Sequence, residues 1–127
     1  MTKTEDLGFC VLEFRQGFMV ATIQPDSPIG EAQTLAVAGA KRGHYGEERV
    51  GLVLYNPWNS PIDPGIFAHA ERLMEEQGYA FLIVARPNPS NSRMLELFNK
   101  HCLVYVGDSL EDAVAHAETV VRAASCT

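Results

Sequence analysis

The chain has 127 residues, of which 46% are hydrophobic and 20% charged, and its net charge is -6. That length and balance predict one domain with a single sizeable core. The negative charge repels phosphate backbones and argues against nucleic acid as a partner. No apolar run approaches the roughly 20 residues that a membrane-spanning helix needs. The start, Met1-Thr2-Lys3-Thr4-Glu5-Asp6, is polar and lacks the apolar stretch of a signal peptide.

The first apolar, β-prone run is Gly8 to Phe14, a predicted strand. Arg15-Gln16-Gly17 signals a tight turn into a second strand, Phe18 to Ile23, so the two form an antiparallel hairpin. Gln24-Pro25-Asp26-Ser27-Pro28 then leads into a predicted helix over Ile29 to Lys41, with Leu35 and Val37 among its apolar positions. The stretch Arg42 to Arg49, with Gly43 and Gly46, suits an exposed loop. Lys41, Arg42 and Arg49 make a basic cluster, interrupted by Glu47 and Glu48, that is expected to be solvated.

Val50 to Tyr55 is a near-continuous apolar run, as expected of a strand covered on both faces. The turn Asn56 to Pro64 follows it. Asp63-Pro64 opens a predicted helix that Gly78 stops. Tyr79 to Ala85 is a further buried strand, and Arg86 to Ser92 a further turn. Ser92 to Lys100 suits a short helix and Cys102 to Val106 a last strand. Ser109, with Asp112 three residues on, is placed to cap a final helix. Leu110, Ala113, Val114, Ala117, Val120 and Val121 give that helix its apolar stripe.

The predicted fold is therefore α/β, a small mixed sheet opened by a β-hairpin and continued by βα units in the order β-β-α-β-α-β-α-β-α. The four Ser/Asn/Asp/Pro-rich turns, Gln24 to Pro28, Asn56 to Pro64, Arg86 to Ser92 and Gly107 to Ser109, should lie along one edge of the sheet, where open α/β sheets place binding sites. The longest turn carries the only tryptophan, and Trp58, Asn59, Ser60 and Asp63 are its candidate binding residues. It leads to a helix start, where free N–H groups favour an anion. Ser90 and Ser92 on the neighbouring turn extend the surface, although Ser and Asn are also ordinary turn residues.

Catalytic signals are weak. His44, His69, His101 and His116 have no metal-ligand spacing, and His69 and His116 are expected at the solvated surface. There is no GxSxG elbow, GxGxxG turn or GxxxxGK[ST] loop. Cys10, Cys102 and Cys126 form no CxxC pair or zinc pattern, and the first two fall in strand patterns, as buried thiols do. A non-enzymatic protein without metal or cofactor, in a reducing cytoplasm, is the expectation.

Several of these segments together resemble a family. They are Leu52-Val53-Leu54-Tyr55 through Ile62-Asp63, the helix ending at Gly78, Phe81-Leu82-Ile83-Val84, Ser92 to Phe98, and Val104-Tyr105-Val106 followed by Ser109-Leu110-Glu111-Asp112-Ala113. In element order and pattern they resemble the STAS domains, those of sulfate transporters and anti-sigma factor antagonists. The resemblance implies a regulatory module that acts through protein contacts, with a kinase/anti-sigma factor as partner in bacterial signalling.

In the antagonists a kinase phosphorylates a serine of an Asp-Ser-Ser-Gly motif at the start of the second helix, and the added charge breaks the complex. Here Ile62-Asp63 matches the head of that motif, and Pro64 and Gly65 stand where the serines should be. Neither has a hydroxyl. Ser60 is the nearest residue of the loop that could take a phosphate. The resemblance thus implies docking through the edge between the third predicted strand and the second predicted helix, at Trp58 to Gly65, without the usual switch. A small-molecule binder, for an anion or nucleotide at the same edge, is the alternative.

Overall fold

The computed structural model describes residues 3–25, 30–55, 79–85 and 103–125. They form one mixed sheet with two helices. The strands are β1 Lys3–Asp6, β2 Cys10–Arg15, β3 Phe18–Ile23, β4 Gly51–Tyr55, β5 Phe81–Ala85 and β6 Leu103–Gly107. The helices are α1 Glu31–Tyr45, between β3 and β4, and α2 Leu110–Ser125, after β6. The helices expected after Asp63 and after Ser92 lie outside the described residues.

The strands lie side by side in chain order. β1, β2 and β3 are antiparallel to one another, and β3 to β6 run parallel. The predicted hairpin is present, with Arg15 opposite Phe18 across Gln16-Gly17. Gly17 takes φ +83°, a conformation that costs a residue with a β-carbon.

β1 is a strand that the polar start of the chain does not predict. Its four residues are exposed and polar, as suits a short edge strand. A second tight turn at Gly8, φ +90°, makes the pairing possible, so Gly8 belongs to the turn and the next strand starts at Cys10. In that turn Leu7 N–H donates to the Cys10 carbonyl, at 2.9 Å, and Gly8 N–H to Asp6 Oδ1, at 2.8 Å.

Alternation along the strands divides the apolar side chains between two faces. Leu12, Phe14, Met19, Ala21, Leu52, Leu82 and Val84 pack on the face that α1 covers with Val37, Ala40 and Tyr45. Phe18, Val20, Val53, Phe81, Ile83 and Ala85 pack on the other, against Ala113 and Ala117 of α2. Covered on both faces, β5 is buried at every residue, as its continuous apolar run predicted. The full stripe expected for α2 lies in this second cluster.

α1 runs from Glu31 rather than Ile29 and continues through Tyr45, past the predicted end at Lys41. Tertiary contacts outweigh the low helix propensity of Gly43. The His44 ring stacks on Phe14 with centroids 4.4 Å apart, and Tyr45 meets Phe14 edge-on at 5.9 Å. Tyr45 Oη lies 2.7 and 2.8 Å from the carbonyl oxygens of Arg15 and Phe18, and its proton can be donated to either. This ties the end of α1 to the β2–β3 turn.

Lys41 overturns the expectation of a solvated basic cluster. It is 3% exposed, and its Nζ lies 5.6 Å from the centre of the Tyr79 ring. Burial lowers its pKa. Arg42 and Arg49 are exposed, as expected.

Candidate binding surface

Because β3 to β6 are parallel, their carboxyl ends share one edge. The register defines that edge residue by residue. Thr22 pairs with Tyr55, Tyr55 with Ala85, and Ala85 with Gly107. These four form one row across the sheet, and each of the four Ser/Asn/Asp/Pro-rich turns begins at it or within two residues beyond it. By strand alternation the row faces the α2 side, with Val20, Val53 and Ile83 one step below it. Trp58, Asn59, Ser60, Asp63, Pro64, Gly65, Ser90 and Ser92 lie outside the described residues. The chain enters the turns that carry them from Tyr55 and Ala85, which are register partners.

The fourth turn is described in full. Asp112 N–H donates to Ser109 Oγ at 3.1 Å, the cap that the sequence signalled. A β-carbon on Gly107 would sit 3.1 Å from Ala113 Cβ, so the bare backbone there lets the first turn of α2 settle against the end of β6.

A groove of about 630 Å³ runs down from this row. α2 makes one wall with Leu110, Val114, Ala115 and Glu118, while Val11, Val20, Thr22, Glu13 and Arg15 form much of the floor. It exists because α2 packs over β3 to β6 and leaves the same face of β1 and β2 without a covering helix among the described residues. Arg15 lines it in an ion-pair bridge. The Arg15 guanidinium meets Glu13 at 3.1 Å and Glu118 at 3.2 Å, which links the hairpin to α2. A second groove, about 430 Å³, lies on the opposite face between α1 and β1.

None of the residues that line the first groove is among the binding residues expected from the sequence. The signal was there: in β2 the alternation that buries Cys10, Leu12 and Phe14 turns Val11, Glu13 and Arg15 to the other side. Two charged side chains on one face of an inner strand mark a face left partly open to water.

Reactive groups are few among the described residues. Cys10 is fully buried, as predicted, and burial, reinforced by Asp6, pushes its thiol up to about 12. A thiol so held is not a nucleophile at neutral pH. Cys102 lies outside the described residues. Among the described residues no group of three or more His, Cys, Asp or Glu side chains is gathered to hold a metal ion. The expectation of a solvated His116 is corrected: its ring packs against Tyr105, centroids 4.4 Å apart, and is half-buried. His69 lies outside the described residues.

The described residues define an α/β protein with a six-stranded mixed sheet, a helix on each face and a groove between α2 and strands β1 to β3. No helix of the described residues is long and apolar enough to cross a membrane. No family model, curated protein or solved structure matches the chain.

Proposed function

We propose that this chain is a non-enzymatic regulatory module that docks a protein partner at the carboxyl-end edge of its parallel strands, in the manner of the anti-sigma factor antagonists. The observation that supports this reading most is the row Thr22–Tyr55–Ala85–Gly107. It brings the starts of four turns rich in polar residues to one line, the common place for binding in open α/β sheets. The partner class is a kinase of the anti-sigma type. With Pro64 and Gly65 in place of the acceptor serines, docking is constitutive, and Ser60 is the one hydroxyl-bearing residue between Asn56 and Pro64.

The test is capture of partners by the immobilised chain, with Tyr55→Ala and Trp58→Ala compared against wild type. A partner of the kinase/anti-sigma class, lost with either substitution, supports the proposal. Equal capture by all three proteins, or capture of no protein, removes it. The 630 Å³ groove favours a second reading, since its volume suits a small molecule. Thermal-shift measurement with nucleotides and phosphorylated metabolites separates the two, because saturable stabilisation belongs to the ligand binder.

A further inference from the structure

β1 is an edge strand, and among the described residues nothing pairs with its outer side. Leu7 N–H donates to the Cys10 carbonyl, so Leu7 directs its backbone groups toward β2. In an antiparallel ladder this direction alternates residue by residue. Lys3 and Glu5 therefore also bond toward β2, and Thr4 and Asp6 present their N–H and C=O groups outward. Thr4 lines the grooves on both faces, so the described helices leave space on either side of this edge.

We propose that the outer edge of β1 pairs antiparallel with β1 of a second copy of this chain, about a two-fold axis at Thr4. The choice of partner and register rests on backbone direction and charge. An antiparallel pair places opposed side chains on the same face, and only outward-directed residues can bond across it. Centred on Thr4, the two threonines exchange both backbone bonds. Lys3 then lies opposite Glu5 of the second copy, and Glu5 opposite Lys3, all on the α1 face. Centred on Asp6, the pairing sets two aspartates against each other. Centred between them, it sets Glu5 against Glu5. Like charges directly opposed destabilise a ladder and opposite charges support it, so the Thr4 register is selected. Among the described residues neither Lys3 nor Glu5 has an ion-pair partner within its own chain.

A four-residue edge buries well under the roughly 1,600 Å² of a standard stable interface, so the dimer is weak and concentration-dependent. The pairing would join two six-stranded sheets into one.

Sedimentation of the full chain over a wide concentration range tests this, with circular dichroism to check folding. A reversible monomer–dimer equilibrium is expected. Lys3→Glu should weaken it about tenfold, and Lys3→Glu with Glu5→Lys should restore it. Thr4→Cys should cross-link into a covalent dimer under mild oxidation where the parent chain does not, because hydrogen-bonded partners in a ladder sit about 5.5 Å apart at Cα, within disulfide reach. A monomer at every concentration with no covalent dimer of the Thr4→Cys variant, or a dimer indifferent to Lys3→Glu, overturns the proposal.

Discussion

The ring of Phe81 lies over Gly51 on the neighbouring strand, in the space that a β-carbon at residue 51 would occupy. Gly51 and every residue of β5 are buried, and the ring is 3% exposed, so it has nowhere to retreat. This one close approach explains why a glycine sits inside an otherwise apolar, branched-chain strand.

Gly51→Ala is therefore expected to destabilise the fold by about 1–3 kcal/mol through overpacking. Urea unfolding measures it. Adding Phe81→Leu makes room, and the double variant should lose less than the sum of the two single losses.

Gly17 and Gly46 both have positive φ, +83° and +67°, yet they should respond differently. A β-carbon on Gly46 meets nothing within 4 Å, so Gly46→Ala carries the backbone cost alone, about 1–3 kcal/mol. On Gly17 it would lie 2.6 Å from Val121 Cγ1, so Gly17→Ala adds a clash between the hairpin turn and α2. Denaturant midpoints should rank Gly17→Ala below Gly46→Ala.

Tyr45→Phe removes the bond from the end of α1 to the β2–β3 turn and should cost about 1 kcal/mol at neutral pH. The cost depends on pH. Burial pushes the Tyr45 hydroxyl from 10.0 to about 12, as it does the Cys10 thiol from 9.0 to about 12. The unfolded chain releases these protons first, so the stability they carry is whole below pH 9 and is lost as pH rises toward 12. Lys41 works the other way: its pKa is lowered, so a rise in pH toward 10.5 relieves its buried charge. Unfolding curves at about pH 7 to 11 should show the gap between wild type and Tyr45→Phe narrowing above about pH 10.

Arg15 and Glu118 pair across the groove that both line, but their side chains are 33% and 47% exposed. Solvent-exposed pairs contribute about 0–1 kcal/mol. Glu118→Gln should accordingly cost less than about 1 kcal/mol, and less again at high salt. Chemical denaturation at two ionic strengths checks this, and a loss well above that range would show that Glu118 also shapes the groove.

Much of the fold was legible because local pattern and tertiary burial agree. β3 matches its prediction residue for residue, and β4, β5 and β6 differ only at their ends. The α2 stripe and the Ser109 cap are local features, written in spacing and side-chain type. α1 was harder, because its lower end is held by Phe14 and the β2–β3 turn, far away in sequence. Lys41 was misjudged for the same reason: whether a lysine is buried depends on what lies above it.

Among the described residues, the sequence by itself determined the runs that became strands β3 to β6, the first apolar hairpin and the capped, apolar-striped helix α2, since these depend on neighbours a few residues apart. Only the tertiary structure decided that Lys3–Asp6 would join as an edge strand, that Thr22, Tyr55, Ala85 and Gly107 would align in one row, and that α2 would leave a groove beside Arg15. Those outcomes depend on register and on which faces remain uncovered, and both are set by contacts between residues far apart in the chain.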